Sequence, residues 1–382
     1  MRTPLSTPLA LAGALASLWS SAPAGAYPFM VRAGTTNCAD CHVDPSGGGV
    51  LTAYGRDQGL AMGRGGDRAE LGAFAFGAVS LPEAVMLQAD SRTLLIPDPS
   101  NPRVLAMQDD LRGAIRTGHF VVSGSLGMVS EGAQKAQLTS QPAGVNAVAR
   151  EYWAGYTPSS AVTVRAGRMN LPFGLRSEEH FLYAREVTAT DTNDSQQAGV
   201  AVAYASWNLR GEVMGIAGNP QVSPDRYRER GLSGNVAWAP SSKAEVGLSG
   251  LWGHAQLDPS ARVERTRGAA GVFGRAVLPA SVVLLAEADL TADGQGADPA
   301  QIGGVGFVEL DAEPLQGVHV RGTGEYCTPG GGSEASYAGW LGGQWFFAPH
   351  ADLRLDVAYG SLYCTPSPEP RVMGLAQAHL YL

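Results

Sequence analysis

The chain has 382 residues and a formal net charge of −8, with 50 glycines, only 16% charged residues and 45% hydrophobic residues. The acidic balance argues against nucleic acid as a partner, and so much glycine with so little charge is odd for a globular enzyme. Beyond the N-terminus no stretch reaches the roughly 18 consecutive apolar residues of a membrane helix, which leaves a barrel open, because barrel strands carry apolar residues in alternate positions.

Arg2 precedes an apolar run from Leu9 to Trp19, and "SAPAGA" comes next, with Ala24 and Ala26 in the small-x-small pattern of a cleavage site. Residues 1–26 therefore read as a signal peptide, since the apolar run is too short to span a bilayer. An exported chain tolerates disulfides. Its four cysteines fall into two unlike pairs, Cys38/Cys41 and Cys327/Cys364.

Residues 27–82 lack strand alternation and read as a small N-terminal segment, a plug for the strands after it. They hold "NCADCH" from Asn37 to His42, "GGG" at 47–49 and "GRGGD" at 63–67. C-x-x-C-H is the attachment pattern of a c-type haem. Two thiols at this spacing reach both vinyl groups on one porphyrin edge, and the next residue brings an imidazole to the iron. Cys38 and Cys41 are the expected tethers and His42 the proximal iron ligand. A redox dithiol wants a βαβ context, absent here. A zinc site wants a second ligand pair, yet the next cysteine is Cys327 and no histidine lies between His42 and His119. A disulfide across two residues is strained. One covalent haem c is the leading expectation. For the distal ligand Met62 lies downstream and Met30 upstream, while His119, His319 and His379 share the inward parity of their strands. Each histidine also reads as an ordinary polar wall residue, and an open iron position remains an alternative.

From residue 83 to 382 the pattern has period two. In "VHVRGTGEY", His319, Arg321, Thr323 and Glu325 face one way; in "ADLRLDVAYG", Leu353, Leu355, Val357 and Tyr359 face the other way from Arg354 and Asp356. Short connections (157–160, 206–208, 239–243, 278–281, 311–316, 347–352) alternate with long ones (130–146, 171–196, 218–230, 254–266, 291–300, 327–336, 364–370). Short turns on one side and long loops on the other is the layout of outer-membrane barrels. The count predicts an all-β, transmembrane antiparallel barrel of about sixteen strands, with Asp109 and Asp110 disturbing the alternation in the first three. Charges of inward parity, among them Arg165, Arg210, Glu212, Lys243, Glu245, Glu287 and Asp289, read as a solvated lumen face. No nucleophile–base pair or phosphate loop is present, so no hydrolase or transferase activity is expected.

Two loop features stand out. In "RAGRMNLPFGLRSEEHFLYAR", Arg165 to Arg185, Pro172 and Gly174 end a strand and the charges after them suit either a loop folded into the lumen as a constriction or an ordinary extracellular loop. Cys327 in "EYCTPGGG" and Cys364 in "LYCTPSPEP" sit at matching extracellular strand ends, a disulfide candidate. One strand separates them, so their loops must lean together to reach a Cα spacing of about 4.4–6.8 Å.

"YPFMVRAGTTNCADCHVDPSGGGVLTAYGR", leading directly into the strands, resembles the outer-membrane fused monohaem cytochrome–porins of iron-oxidising bacteria. "GRMNLPFGLR" separately resembles a strand-and-loop element of outer-membrane porins. The first resemblance implies electron transfer across the bacterial outer membrane, with an extracellular donor or acceptor such as Fe(II) and periplasmic cytochromes or other carriers as partners, besides membrane lipid. The alternatives from other classes are a passive diffusion porin with a structural or sensory haem plug, the barrel partner of a multihaem cytochrome conduit, and a soluble periplasmic cytochrome with a β domain.

Overall fold

In the computed structural model, residues 28–62, 74–97, 102–141, 144–177, 179, 182–259, 261–361 and 363–382 are described. The expected signal peptide lies outside them. The described chain is built of strands: β1 (Val85–Ile96), β2 (Arg103–Thr117), β3 (Phe120–Val129), β4 (Asn146–Val148), β5 (Tyr152–Ser159), β6 (Val162–Met169), β7 (Gln197–Ala205), β8 (Leu209–Gly218) and β9 (Arg230–Ser241). The second half continues with β10 (Ala244–Ala255), β11 (Arg265–Val277), β12 (Val283–Gln295), β13 (Gln301–Leu315), β14 (Val318–Thr328), β15 (Ser336–Ala348), β16 (Ala351–Gly360) and β17 (Arg371–Tyr381).

Each strand pairs antiparallel with the next, and β17 returns to β1 with Asp90 opposite Tyr381 and Leu95 opposite Ala376. The short β4 adds three pairs at the end of β3, whose main partner is β5. The result is a closed antiparallel barrel of sixteen strands with one extra strand. Closure matters because an open strand edge in hydrocarbon would leave backbone N–H and C=O groups unpaired, at several kcal/mol each.

The period-two pattern decides which face turns outward. Along β16, Leu353, Leu355, Val357 and Tyr359 are exposed on the outer surface while Arg354, Asp356 and Ala358 are buried inside. Along β14, Val320 and Tyr326 face out and His319, Arg321, Glu325 and Cys327 face in. The sequence irregularity near Asp109 has a local cause. Pairing of β1 with β2 slips between Arg92 and Thr93, and Asp110 faces inward to Arg150 while Asp109 accepts a hydrogen bond from Ser91 Oγ at 2.6 Å.

An outward residue in the middle of β15 tests this assignment. Leu341 is exposed among apolar neighbours on the outer face, so Leu341→Arg is expected to destabilise the folded barrel by about 2–4 kcal/mol near the bilayer midplane. Denaturant titration of the refolded protein in lipid vesicles measures it. An unchanged midpoint would place this face away from lipid.

Candidate functional site

The N-terminal segment lies inside the barrel, gripped by strands from all around the wall. Arg32 Nη2 sits 2.6 Å from Asp311 on β13, and its Nη1 2.9 Å from Glu313. Arg275 of β11 donates to the Thr36 carbonyl at 2.5 Å. Arg165 of β6 binds Asp44 at 2.5 Å and also pairs with Glu212 of β8. Leu51 N donates to Gln88 of β1 at 3.2 Å. Phe29, Met30 and Val31 complete the grip, packed against Leu285, Val305, Phe307 and Phe346 of the wall.

Cys38–Cys41 form a single helical turn capped by Asn37, whose side chain accepts from Ala39 N. His42 N closes the turn onto the Cys38 carbonyl at 2.9 Å, and the chain then runs out and back, with Val43 N bonded to the Val50 carbonyl. Gly47, Gly48 and Gly49 make the reversal at φ of +87°, +90° and +65°, a region that favours glycine. Cys38 is half-buried and Cys41 buried, and the two are not joined to each other. Burial, and after it the neighbouring Asp40 and Cys38, push the Cys41 thiol up to about 12. It is therefore a thiol at neutral pH.

His42 faces a cavity of about 150 Å³ between the segment and the wall. Gly48, Gly49, Gly55 and Gly59 line it on the segment's side. The wall contributes Arg92, Arg112, Arg150 and Arg176, against Asp90 and Glu151. A volume of that size holds on the order of ten waters.

The loop after β6 closes the lumen further. Pro172 and Gly174 turn it inward, and a Cβ on Gly174 would collide with the Glu287 carboxylate. Leu175 N and Tyr183 N donate to Glu287 and Glu325, each at 2.7 Å. Arg185 pairs with the same Glu287, and Glu179 pairs with Arg354. Of the two readings of this loop, the inward one is the structure's.

The remaining sequence candidates scatter. His379 lines the same cavity as His42, its Nδ1 2.8 Å from Asp352 and its Nε2 3.3 Å from Asp90. His319 is held by Asp311 at 3.0 Å and stacks on Phe29 with ring centroids 4.3 Å apart. Met30 belongs to the apolar cluster, and the Met62 side chain lies outside the described residues. His119 is not a lumen residue: it sits exposed in the turn between β2 and β3 with Nδ1 2.7 Å from the Thr157 carbonyl. The parity of a strand does not extend into its turn. Cys327 and Cys364 form a disulfide with a Cα spacing of 5.8 Å. Among the described residues no group of three or more His, Cys, Asp or Glu side chains is placed to hold a metal ion.

Several of the inward charges are not a solvated face: Arg165 meets Asp44 of the segment, and Glu287 meets Arg185 and Leu175 N of the loop, in place of the water that the sequence pattern alone suggests. Lys243 is exposed, in the turn between β9 and β10. The Arg165–Asp44 pair is invisible in sequence, since it joins residues 121 positions apart. Asp44 carries no motif of its own.

Residues 120–360, more than half of the chain, match the family phosphate-selective porin O and P. The chain belongs to this porin family. Among solved structures it is similar to OmpT, an outer membrane protein of Vibrio cholerae, at 11% identity and a TM-score of 0.59, covering 80% of this chain and 100% of that one. It is also similar to an anion-selective porin from Comamonas acidovorans, at 12% identity and a TM-score of 0.57, covering 78% and 98%. No curated protein sequence matches it. These findings correct the resemblance to fused monohaem cytochrome–porins. The family match rests on the barrel and names a porin, whereas that resemblance rests on some thirty residues before it.

Arg165→Ala removes the cation between the buried carboxylates of Asp44 and Glu212, leaving Asp44 only its bonds from Ser46, and a loss of about 3–5 kcal/mol is expected, read from the denaturation midpoint in detergent. A midpoint within error of the parent would mean that Arg165 does not hold the segment. In protein free of any group on its cysteines, maleimide should modify Cys38 first. The Cys41 rate should then climb about tenfold per pH unit across the neutral and alkaline range, because only the thiolate reacts. A plateau below pH 9 would contradict the raised thiol.

Proposed function

We propose that this is a diffusion porin of narrow conductance that favours small anions, its lumen restricted by the N-terminal segment acting as a plug. The carrying observation is the cavity beside His42, where four arginines meet two carboxylates. Arg112 and Arg150 share the single carboxylate of Asp110, and Arg176 is held by the carbonyls of Ser46 and Leu171, so an entering anion adds counter-charge to this cluster. The kinship with phosphate-selective porins supports the same sign of selectivity.

The plug also has the residues for one covalent haem c. Cys38 and Cys41 stand one helical turn apart, as two thioethers to one porphyrin edge require, and His42, which follows them, is among the residues that line the cavity. On that side the cavity is lined by four glycines together with Leu51 and His42. A bound haem would supply one-electron chemistry, with Cys38 and Cys41 tethering it and His42 holding the iron. In the first reading the haem is structural or sensory.

A second reading, electron transfer across the outer membrane, is favoured by one observation: His42 and the carboxylate-held His379 border the same cavity. One haem is far shorter than an apolar band about 25 Å tall. Periplasmic carriers and an extracellular donor or acceptor such as Fe(II) would have to approach it from either side.

Bilayer recordings under a salt gradient test the leading reading. The parent should pass anions over cations, and Arg176→Ala should lower that ratio by about two- to threefold while leaving the barrel folded. Cation preference, or no conductance at all, would overturn it. A haem stain and absorption spectrum of the same preparation decide the rest: a plug without covalent haem ends the electron-transfer reading and leaves the porin.

A further inference from the structure

We infer that the Cys327–Cys364 disulfide is the latch of the constriction, a positioning element for the loop that narrows the lumen. Cys327 sits on the inner face of β14, fully buried in the same apolar cluster as Leu182, Tyr183 and Ala184 of the inward loop. Cys364 lies past the end of β16, partly exposed and packed against that cluster. The bond therefore ties the segment after β16 to β14 across β15.

That segment is what the loop holds on to. Tyr183 Oη donates to the Ser361 carbonyl at 2.5 Å, and Cys364 N donates to Glu186 Oε2 at 3.2 Å. Thr365 N and its carbonyl both meet Ser336 Oγ at 3.3 Å. All of these contacts involve residues within three positions of Cys364, so the covalent tie fixes the partners of the loop's short helix, Tyr183–Val187. The wall contributes the opposite grip, Glu325 to Tyr183 N and Glu287 to Arg185. The loop is thus clamped from two sides, one of them set by a breakable bond. The same cluster contains Phe29, Met30 and Val31, so the latch bears on the N-terminal segment as well.

Chemistry reaches the latch from the loop side. A dithiol attacks the sulfur of Cys364, the more exposed residue of the two, Cys327 leaves as thiolate and takes up a proton, and the second thiol of the reagent displaces Cys364. The reagent closes to its own cyclic disulfide, so two electrons and two protons pass to the protein.

The inference rests on the diffusion reading, and two measurements on the full chain in lipid separate them. In bilayer recordings, dithiothreitol added on the long-loop side should raise conductance by about twofold or more, reversed by reoxidation. Cys327→Ser with Cys364→Ser should match the reduced parent and ignore the reagent. Hydrogen exchange of residues 182–190 should quicken on reduction, while β7 and β12 stay protected. Exchange in that loop indifferent to reduction overturns the latch, as does a measurable conductance that reduction leaves unchanged. A channel closed in both states with quickened exchange sinks the diffusion reading and keeps the latch.

Discussion

Everything else in this molecule depends on the pairing of β1 with β17. In hydrocarbon there is no water to take up a free backbone N–H or C=O, so the sheet must end where it began. The register that achieves this, Asp90 opposite Tyr381, also aims Asp90 and His379 into the lumen. Closure thereby assembles part of the cavity. A slip of one residue would turn the inward charges of the slipped strand toward lipid. The β1–β17 register runs unbroken through Arg92 and Thr93, and the slip at those residues falls on the other side of β1, in its pairing with β2.

The strands are legible because lipid and lumen impose opposite demands on neighbouring positions. Leu353, Leu355 and Val357 against Arg354 and Asp356 can be read without coordinates, and so can the alternation of short turns with long loops. His119 defeats the parity rule because a turn residue answers to the turn and not to the pleat. The expectation of a solvated lumen fails for a deeper reason. Period two tells which side a charge faces but not what else occupies that side, and Arg165, Glu212 and Glu287 meet protein there instead of water.

The candidate site is legible in part. The C-x-x-C-H spacing marks Cys38, Cys41 and His42, and the turn that carries them is short-range structure. Arg150, Arg176 and Glu151 carry no signal, because their significance comes from meeting across the barrel. The family is misjudged from sequence for the same reason in reverse. A conspicuous local motif outweighs three hundred residues of alternation that a great many porins share, while the match lies in those residues.

The enclosed charges have a consequence for how the lumen works. An ion pair such as Arg165–Asp44 has lost its water on both sides, and pulling the N-terminal segment out would expose Arg165 to Glu212 alone and leave Asp44 to find water. The segment is therefore held by more than shape: its removal changes the charge of the channel it vacates. Arg32 repeats the arrangement at Asp311 and Glu313. Asp311 would keep His319 but lose Arg32, while Arg165 would lose Asp44, so emptying the lumen would uncover acidic charge at β13 and basic charge at β6. Selectivity and occupancy of the lumen are thus properties of one electrostatic system. A barrel stripped of residues 28–62 should conduct more and discriminate less.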